Sequence, residues 1–142
     1  MAKVVTGVEI TDYTEEVLKA MSDQVILGLQ SIGSEAEGYA KDNCPVDTGF
    51  LRNSITYAIS GQSAAIGSYT SDDMTQLGTY SGTAPNDKMP AVYIGTNVKY
   101  APYVEYGDKA HHNVGSAHFL KNAAVNHKER YKELFRAALG QM

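Results

Sequence analysis

The sequence predicts an α+β fold, an antiparallel β-sheet of three to four strands packed with a long N-terminal helix and a C-terminal helix. Three observations carry that prediction. Two segments, one in each half of the chain, place apolar residues at intervals of three or four, and the middle carries short runs rich in β-forming residues. With 142 residues the chain has room for one domain, 1–142, and little for a second.

Val4, Thr6, Val8 and Ile10 alternate as an edge strand would. Asp12 and Glu15 have the spacing of a capping box, and Glu15 and Glu16 suit the positive end of a helix. Leu18, Met21, Val25, Leu29, Ile32, Ala36 and Ala40 then form one helical stripe. Unbroken to about Asn43, that helix spans on the order of 48 Å. Gly28, Gly33 and Gly38 each weaken it by roughly 1 kcal/mol relative to alanine. Their five-residue spacing scatters them around the axis, so the expectation is a kink near Gly33 and no close-packed seam. Pro45 closes the helix, because the residue before a proline is pushed out of the helical region.

Residues 53–60 and 64–69, separated by Gly61 and Gln62, read as a β-hairpin, and 91–95 and 98–100 supply further strand. Between them, residues 68–90 are dense in Ser, Thr, Asp, Gly and Pro. This stretch is expected to be a long loop insertion, either a mobile contact arm or a tolerated surface loop. The last helix is expected from Ser116, an N-cap, to Gly140, a terminator, with Leu120, Ala124, His127, Tyr131, Leu134, Phe135 and Ala138 on one side.

The composition, 43% hydrophobic and 20% charged, is that of a globular protein and contains no apolar run of the ~20 residues a membrane span needs. Lys3, Thr6, Gly7 and Glu9 interrupt the first ten residues, which therefore lack the apolar core of a secretory signal; a soluble protein acting where it is made is expected. One cysteine, Cys44, excludes an internal disulfide and a Cys-rich zinc site. Charge is distributed unevenly. Residues 1–47 carry three positive and nine negative charges, whereas 109–142 carry six positive and two negative. Such polarity can pair two elements within a subunit, pair subunits head to tail, or aim a basic face at nucleic acid, although Glu129 and Glu133 dilute the last option.

Asp47, Thr48 and Gly49 could pass for the signature that retroviral-type aspartic proteases place at a homodimer joint. That chemistry needs the aspartate on a loop after a buried strand, so that two copies share a proton; here it follows a helix end and Cys44-Pro45-Val46. A turn is expected instead, with Asp47 capping it and Gly49 permitting its backbone angle. A homodimeric protease built on Asp47 is the alternative. His111, His112 and His118 lack any regular metal-ligand spacing, Cys44 reads as a small buried hydrophobe, and no phosphate loop, dinucleotide fingerprint or nucleophile elbow is present. No cofactor is implied. Of ten tyrosines, Tyr93, Tyr100, Tyr103 and Tyr106 cluster, which suits either an interface or a half-buried sheet edge.

Residues 45–55, Pro-Val-Asp-Thr-Gly-Phe-Leu-Arg-Asn-Ser-Ile, resemble the Pro-x-Asp-Thr-Gly-x-Leu-Arg-x-Ser-Ile signature of tailed-bacteriophage neck and minor tail proteins, the gene-product-ten-like family of lambda-like phages. Tyr100-Ala101-Pro102-Tyr103-Val104-Glu105-Tyr106-Gly107 is similar to the family's second signature, Tyr-Ala-x-Tyr-Val-Glu-x-Gly. Phe119 and Leu120 match an aromatic-leucine pair opening the last helix, with His118 where the family usually has proline. The resemblance thus singles out Pro45, Asp47, Thr48, Gly49, Leu51, Arg52, Tyr100, Ala101, Tyr103, Glu105, Gly107, Phe119 and Leu120 as structural residues. It implies a virion protein without catalytic activity, assembled in the bacterial host cytoplasm. Such a protein forms a homo-oligomeric ring, often hexameric, at the head–tail junction or the top of the tail. Its partners are adjacent neck and tail-tube proteins; DNA passes through only as cargo, and no membrane is involved. Within the two signatures, Arg52 and Glu105 are expected either to form a bidentate pair or to remain solvated surface charges.

Overall fold

The computed structural model describes residues 3–5, 8–10, 14–86, 90–107 and 117–140, with side chains from Ser22 onward. Strands β1 (Lys3–Val5) and β2 (Val8–Ile10) pair antiparallel where one edge strand was expected. Helix α1 (Thr14–Asn43) follows as one continuous element of 30 residues. The proposed caps Asp12 and Ser116, and His111 and His112, lie outside the described residues.

Two of the three glycines in α1 have a packing role that their spacing concealed. A Cβ on Gly28 would come within 2.7 Å of the Phe135 ring, and one on Gly33 within 2.3 Å of the Tyr57 ring. Each glycine therefore seats an aromatic ring from a different element, and the helix passes through Gly33 without interruption. Gly38 has nothing within 4 Å.

After α1 comes a short helix, α2 (Phe50–Ser54), and then β3 (Thr56–Ile59), so Asn53 and Ser54 are helical and not part of a strand. β3 does not form a hairpin with residues 64–69. Its partner is β6 (Val92–Gly95), in a register that sets Tyr57 opposite Ile94. Between them, β4 (Ser68–Thr70) and β5 (Leu77–Thr79) make a second pair, and Ser63 bridges Thr83. The stretch expected as a loop insertion therefore carries a short pair of strands, joined by a turn, within an arm. The α+β class holds, with the described strands arranged as three two-stranded antiparallel sheets instead of one sheet.

The segment after β6 also departs from expectation. Residues 98–100 form a turn, and α3 (Ala101–Tyr106) begins with Pro102 in its first turn, where a missing N–H has no helical partner to lose. Two helices, α4 (Phe119–Val125) and α5 (Lys128–Leu139), replace the single last helix; His127 lies at the joint and stacks on Tyr39 with ring centroids 3.5 Å apart. α4, α5 and the β3–β6 pair all pack on α1. Arg130 on α5 reaches Glu35 on α1 at 3.1 Å. The Tyr39 hydroxyl and the Arg130 guanidinium hold the Glu35 carboxyl below its usual range. At this contact the acidic front and the basic back meet within the chain.

Candidate functional site

The three segments singled out in the sequence converge on one core. Leu51 from the first, Ala101 from the second and Phe119 from the third are buried together with Ala40, Cys44 and Ile55. Phe119 and Ile55 are completely inaccessible. Cys44 lies in this core, and burial pushes its thiol up to about 11, as suits a packing residue and not a nucleophile.

Glu105 is the most unusual residue of the region, a carboxylate only 4% exposed. Its two oxygens accept the backbone N–H groups of Leu120 at 3.0 Å and Lys121 at 2.9 Å. Those donors belong to the first turn of α4, where N–H groups have no partner within the helix, so Glu105 caps a helix that begins fourteen residues further along the chain. Main-chain bonds close the same joint: the N–H of Ala117 donates to the Val104 carbonyl at 2.9 Å, and that of His118 to the Glu105 carbonyl at 3.1 Å. His118 has φ +48° and donates its N–H. A proline could do neither, so the departure from the family pattern at this position reflects a differently built approach to α4. The His118 Nδ1 is buried with no hydrogen-bond partner among the described residues.

The first segment forms a second joint. Gly49 has φ +82°, and a Cβ there would sit 2.5 Å from the Asp72 carboxylate, so glycine is required on both counts. The Thr48 hydroxyl donates to Gln76 Oε1 at 2.8 Å, and the Asp72 N–H to the Thr48 carbonyl at 2.7 Å. Arg52 pairs with Asp72, and the Asn53 amide donates to the Thr70 carbonyl at 2.7 Å. Arg52 and Glu105 are therefore neither paired with each other nor left as unpartnered surface charges. Each charge already has a partner, Asp72 for Arg52 and the α4 N-terminus for Glu105, drawn from chain that sequence spacing could not connect to it.

The arm's turn is held from within by Asp73, whose Oδ1 accepts the Ser71 hydroxyl at 2.7 Å and both the hydroxyl and the N–H of Thr75, at 2.7 and 3.1 Å. These bonds, Ser71 first, hold the Asp73 carboxyl down at about 2. Asp73 and Thr75 have the spacing of an Asx turn, a signal legible in the sequence but absent from the signatures. Tyr69 on β4 packs between Phe50 and Tyr80 and donates its hydroxyl to Asn97 at 2.5 Å.

The remaining signature residues serve geometry or lie on the surface. Gly107 ends α3 at φ +87°, its N–H donating to the Tyr103 carbonyl, and Leu120 packs against the core from its edge. Pro45 and Asp47 are exposed, as are Tyr100 and Tyr103. Asp47 stands on a turn after a helix end, away from any buried strand terminus where two carboxylates could share a proton. Among the described residues no group of three His, Cys, Asp or Glu side chains is placed to hold a metal ion, and no helix is long and apolar enough to cross a membrane.

Among known families, the model described as "Bacteriophage HK97-gp10, putative tail-component" matches residues 8–107. That span contains both joints except for the α4 side of the Glu105 clasp. No curated protein and no solved structure matches the chain.

Proposed function

From the premise that the chain belongs to the HK97-gp10-like family of phage tail components, we propose that it is a non-enzymatic structural subunit of a homo-oligomeric ring at the head–tail junction or the top of the tail. A hexamer is the closed form we favour, contacting the adjacent neck and tail-tube proteins and surrounding the DNA path. Assembly takes place in the host cytoplasm, and the product resides in the virion.

One observation supports this reading above the others: two of the three charges in the signatures join chain segments. Glu105 takes two backbone N–H groups, and Arg52 takes Asp72. Side chains so engaged fix the shape of a subunit, which a ring needs at every interface at once.

Electron microscopy of the purified protein, alone and with the adjacent tail-tube protein, tests the proposal. Closed rings in either preparation are expected. Particles that stay monomeric in both would overturn it, as would peptide cleavage at acid pH that disappears in Asp47→Asn.

A further inference from the structure

Residues 61–84 form one two-stranded ribbon with a bend in it. Near the body, Ala84 and Ala64 donate their N–H groups to the carbonyls of Gln62 and Gly82, at 2.9 and 3.0 Å. Further out, Tyr80 and Ser71 donate to Gly67 and Gln76, both at 3.0 Å, along the β4–β5 pair. Between these two ladders, Ala65 and Ile66 on one strand face Ser81 alone on the other, so the ribbon carries one extra residue, a β-bulge. Each strand also has a glycine of positive φ at this level, Gly67 at +119° and Gly82 at +111°, and a Cβ on either would meet nothing within 4 Å. These glycines therefore serve the bend and not a close approach. Beneath the bent stretch, a cavity of about 240 Å³ separates residues 81–85 from the β3–β6 pair, and Ile66 at the bulge is fully exposed.

Beyond the bend, the outer ribbon rests in a seat on the body. Tyr69 is buried against Phe50, with ring centroids 5.1 Å apart, and its hydroxyl donates to Asn97. Arg52 takes Asp72, and the Asn53 amide takes the Thr70 carbonyl. The Asn97 amide donates to the Thr79 carbonyl at 2.7 Å, and Thr48 to Gln76. Residues 72–77 are all exposed. Release of the outer ribbon thus exposes one aromatic ring and a set of polar contacts that water replaces at modest cost. It also leaves Phe50 and Arg52 without their partners, in a seat shaped for this ribbon.

We infer that the outer ribbon of one copy occupies the seat of the next, swung out by straightening at the Gly67–Gly82 bend. The occupant is a second copy of this chain because the fit is the one the chain already displays. Each contact named above is remade between two copies with the same partners, so exchange conserves the contacts and changes only the bend. From the bend to the turn at Met74 the ribbon measures roughly 20 Å, enough to cross to a neighbour. A copy that gives its ribbon to one neighbour and receives one from another makes a heterologous contact, which closes as a ring. This inference rests on the ring reading and supplies the contact a ring needs.

Cross-linking across the seat tests it. The Thr48 and Gln76 side chains meet at 2.8 Å, and Cys44, the only native cysteine, is buried. In the double variant Thr48→Cys/Gln76→Cys, a short bifunctional thiol reagent links the two sites within one chain where the ribbon is self-docked, and between chains where it is exchanged. Denaturing electrophoresis should show single chains at low concentration and a ladder of linked chains once the native protein self-associates in sedimentation analysis. Valine at either glycine penalises positive φ without a clash, so adding Gly67→Val or Gly82→Val should bring the ladder in at roughly tenfold lower concentration. An unmoved threshold in both would overturn the bend as the pivot, and the cysteine pair in the wild-type ribbon decides the exchange even where a valine variant fails to fold. Oligomers whose chains are linked only internally would overturn the exchange and leave the ring reading intact, as would links between chains that Thr48→Cys or Gln76→Cys alone also gives. A ladder that stops at two chains would support the exchange and overturn the ring. A protein that stays monomeric at the highest attainable concentration and beside the tail-tube protein would overturn both.

Discussion

Glu105 and Asp72 are both carboxylates that tie a signature segment to a distant part of the chain, yet they do so under opposite conditions. Glu105 is buried, its partners are backbone N–H groups at a helix start, and the hydrophobic core closes around it. Asp72 is half exposed, its partner is Arg52, itself partly open to solvent, and much of the arm it belongs to is open to water. The clasp thus combines burial with a charge-to-helix interaction that solvent does not screen, whereas the arm depends on many small polar contacts that water weakens. A chain built this way has a firmly packed centre and an arm of lower local stability.

The contrast breaks first if the core is not the centre of stability. Phe119→Ala removes a completely buried ring shared by α1, α2 and α3 and should cost about 3–5 kcal/mol in urea denaturation. A loss below roughly 1 kcal/mol would show that the three segments do not depend on one core.

The glycines of α1 sharpen the picture. Gly33→Ala drives a methyl into the Tyr57 ring and should destabilise by about 1–3 kcal/mol despite the better helix propensity of alanine. Gly38→Ala meets open space and should stabilise by up to about 1 kcal/mol. Thermal unfolding of the pair checks this; shifts of the same sign would contradict the assignment of Gly33 as a seat for Tyr57.

On the arm, a double-mutant cycle of Arg52→Ala and Asp72→Ala should give a coupling of no more than about 1 kcal/mol, as befits a pair partly open to solvent. The corresponding cycle of Arg52 with Glu105 should give a coupling near zero. The reverse ranking would restore the Arg52–Glu105 pair, one of the two alternatives the signatures left open.

The smallest effect concerns pH. Asp73 has its folded pKa depressed from 3.8 to about 2, so its contribution to the arm is present above roughly pH 4 and is lost as pH falls through 2. Protection factors of the Thr75 and Gln76 amides, taken against the intrinsic exchange rate at each pH, should fall across that window in the wild type and stay flat in Asp73→Asn. An equal pH response in the variant would remove Asp73 as the cause.

How much of this was legible in the sequence follows the range of the interactions. Local periodicity predicted α1, and the Phe119 and Leu120 match correctly located the opening of α4. The break at His127 was hidden because the apolar row runs across it. The pairing of β3 with β6 spans over thirty residues, so the nearby Gly61-Gln62 turn suggested a hairpin that the chain does not make. Composition misled at residues 98–100, where valine and tyrosine favour strand but the chain turns into α3, with Pro102 in its first turn and Ala101 buried. For the site, residue identities were legible and partners were not. Gly33 needs Tyr57, Arg52 needs Asp72 and Glu105 needs Leu120 and Lys121, and no spacing rule links residues that only the fold brings together.

The central claim is that Glu105 acts as the N-terminal cap of α4. Amide hydrogen exchange, followed residue by residue in wild type and Glu105→Ala, tests it directly. The account predicts that protection at Leu120 and Lys121 falls first and furthest, followed by the rest of α4, while the amides of α1 keep theirs. Unchanged protection at Leu120 and Lys121 in the variant would contradict it.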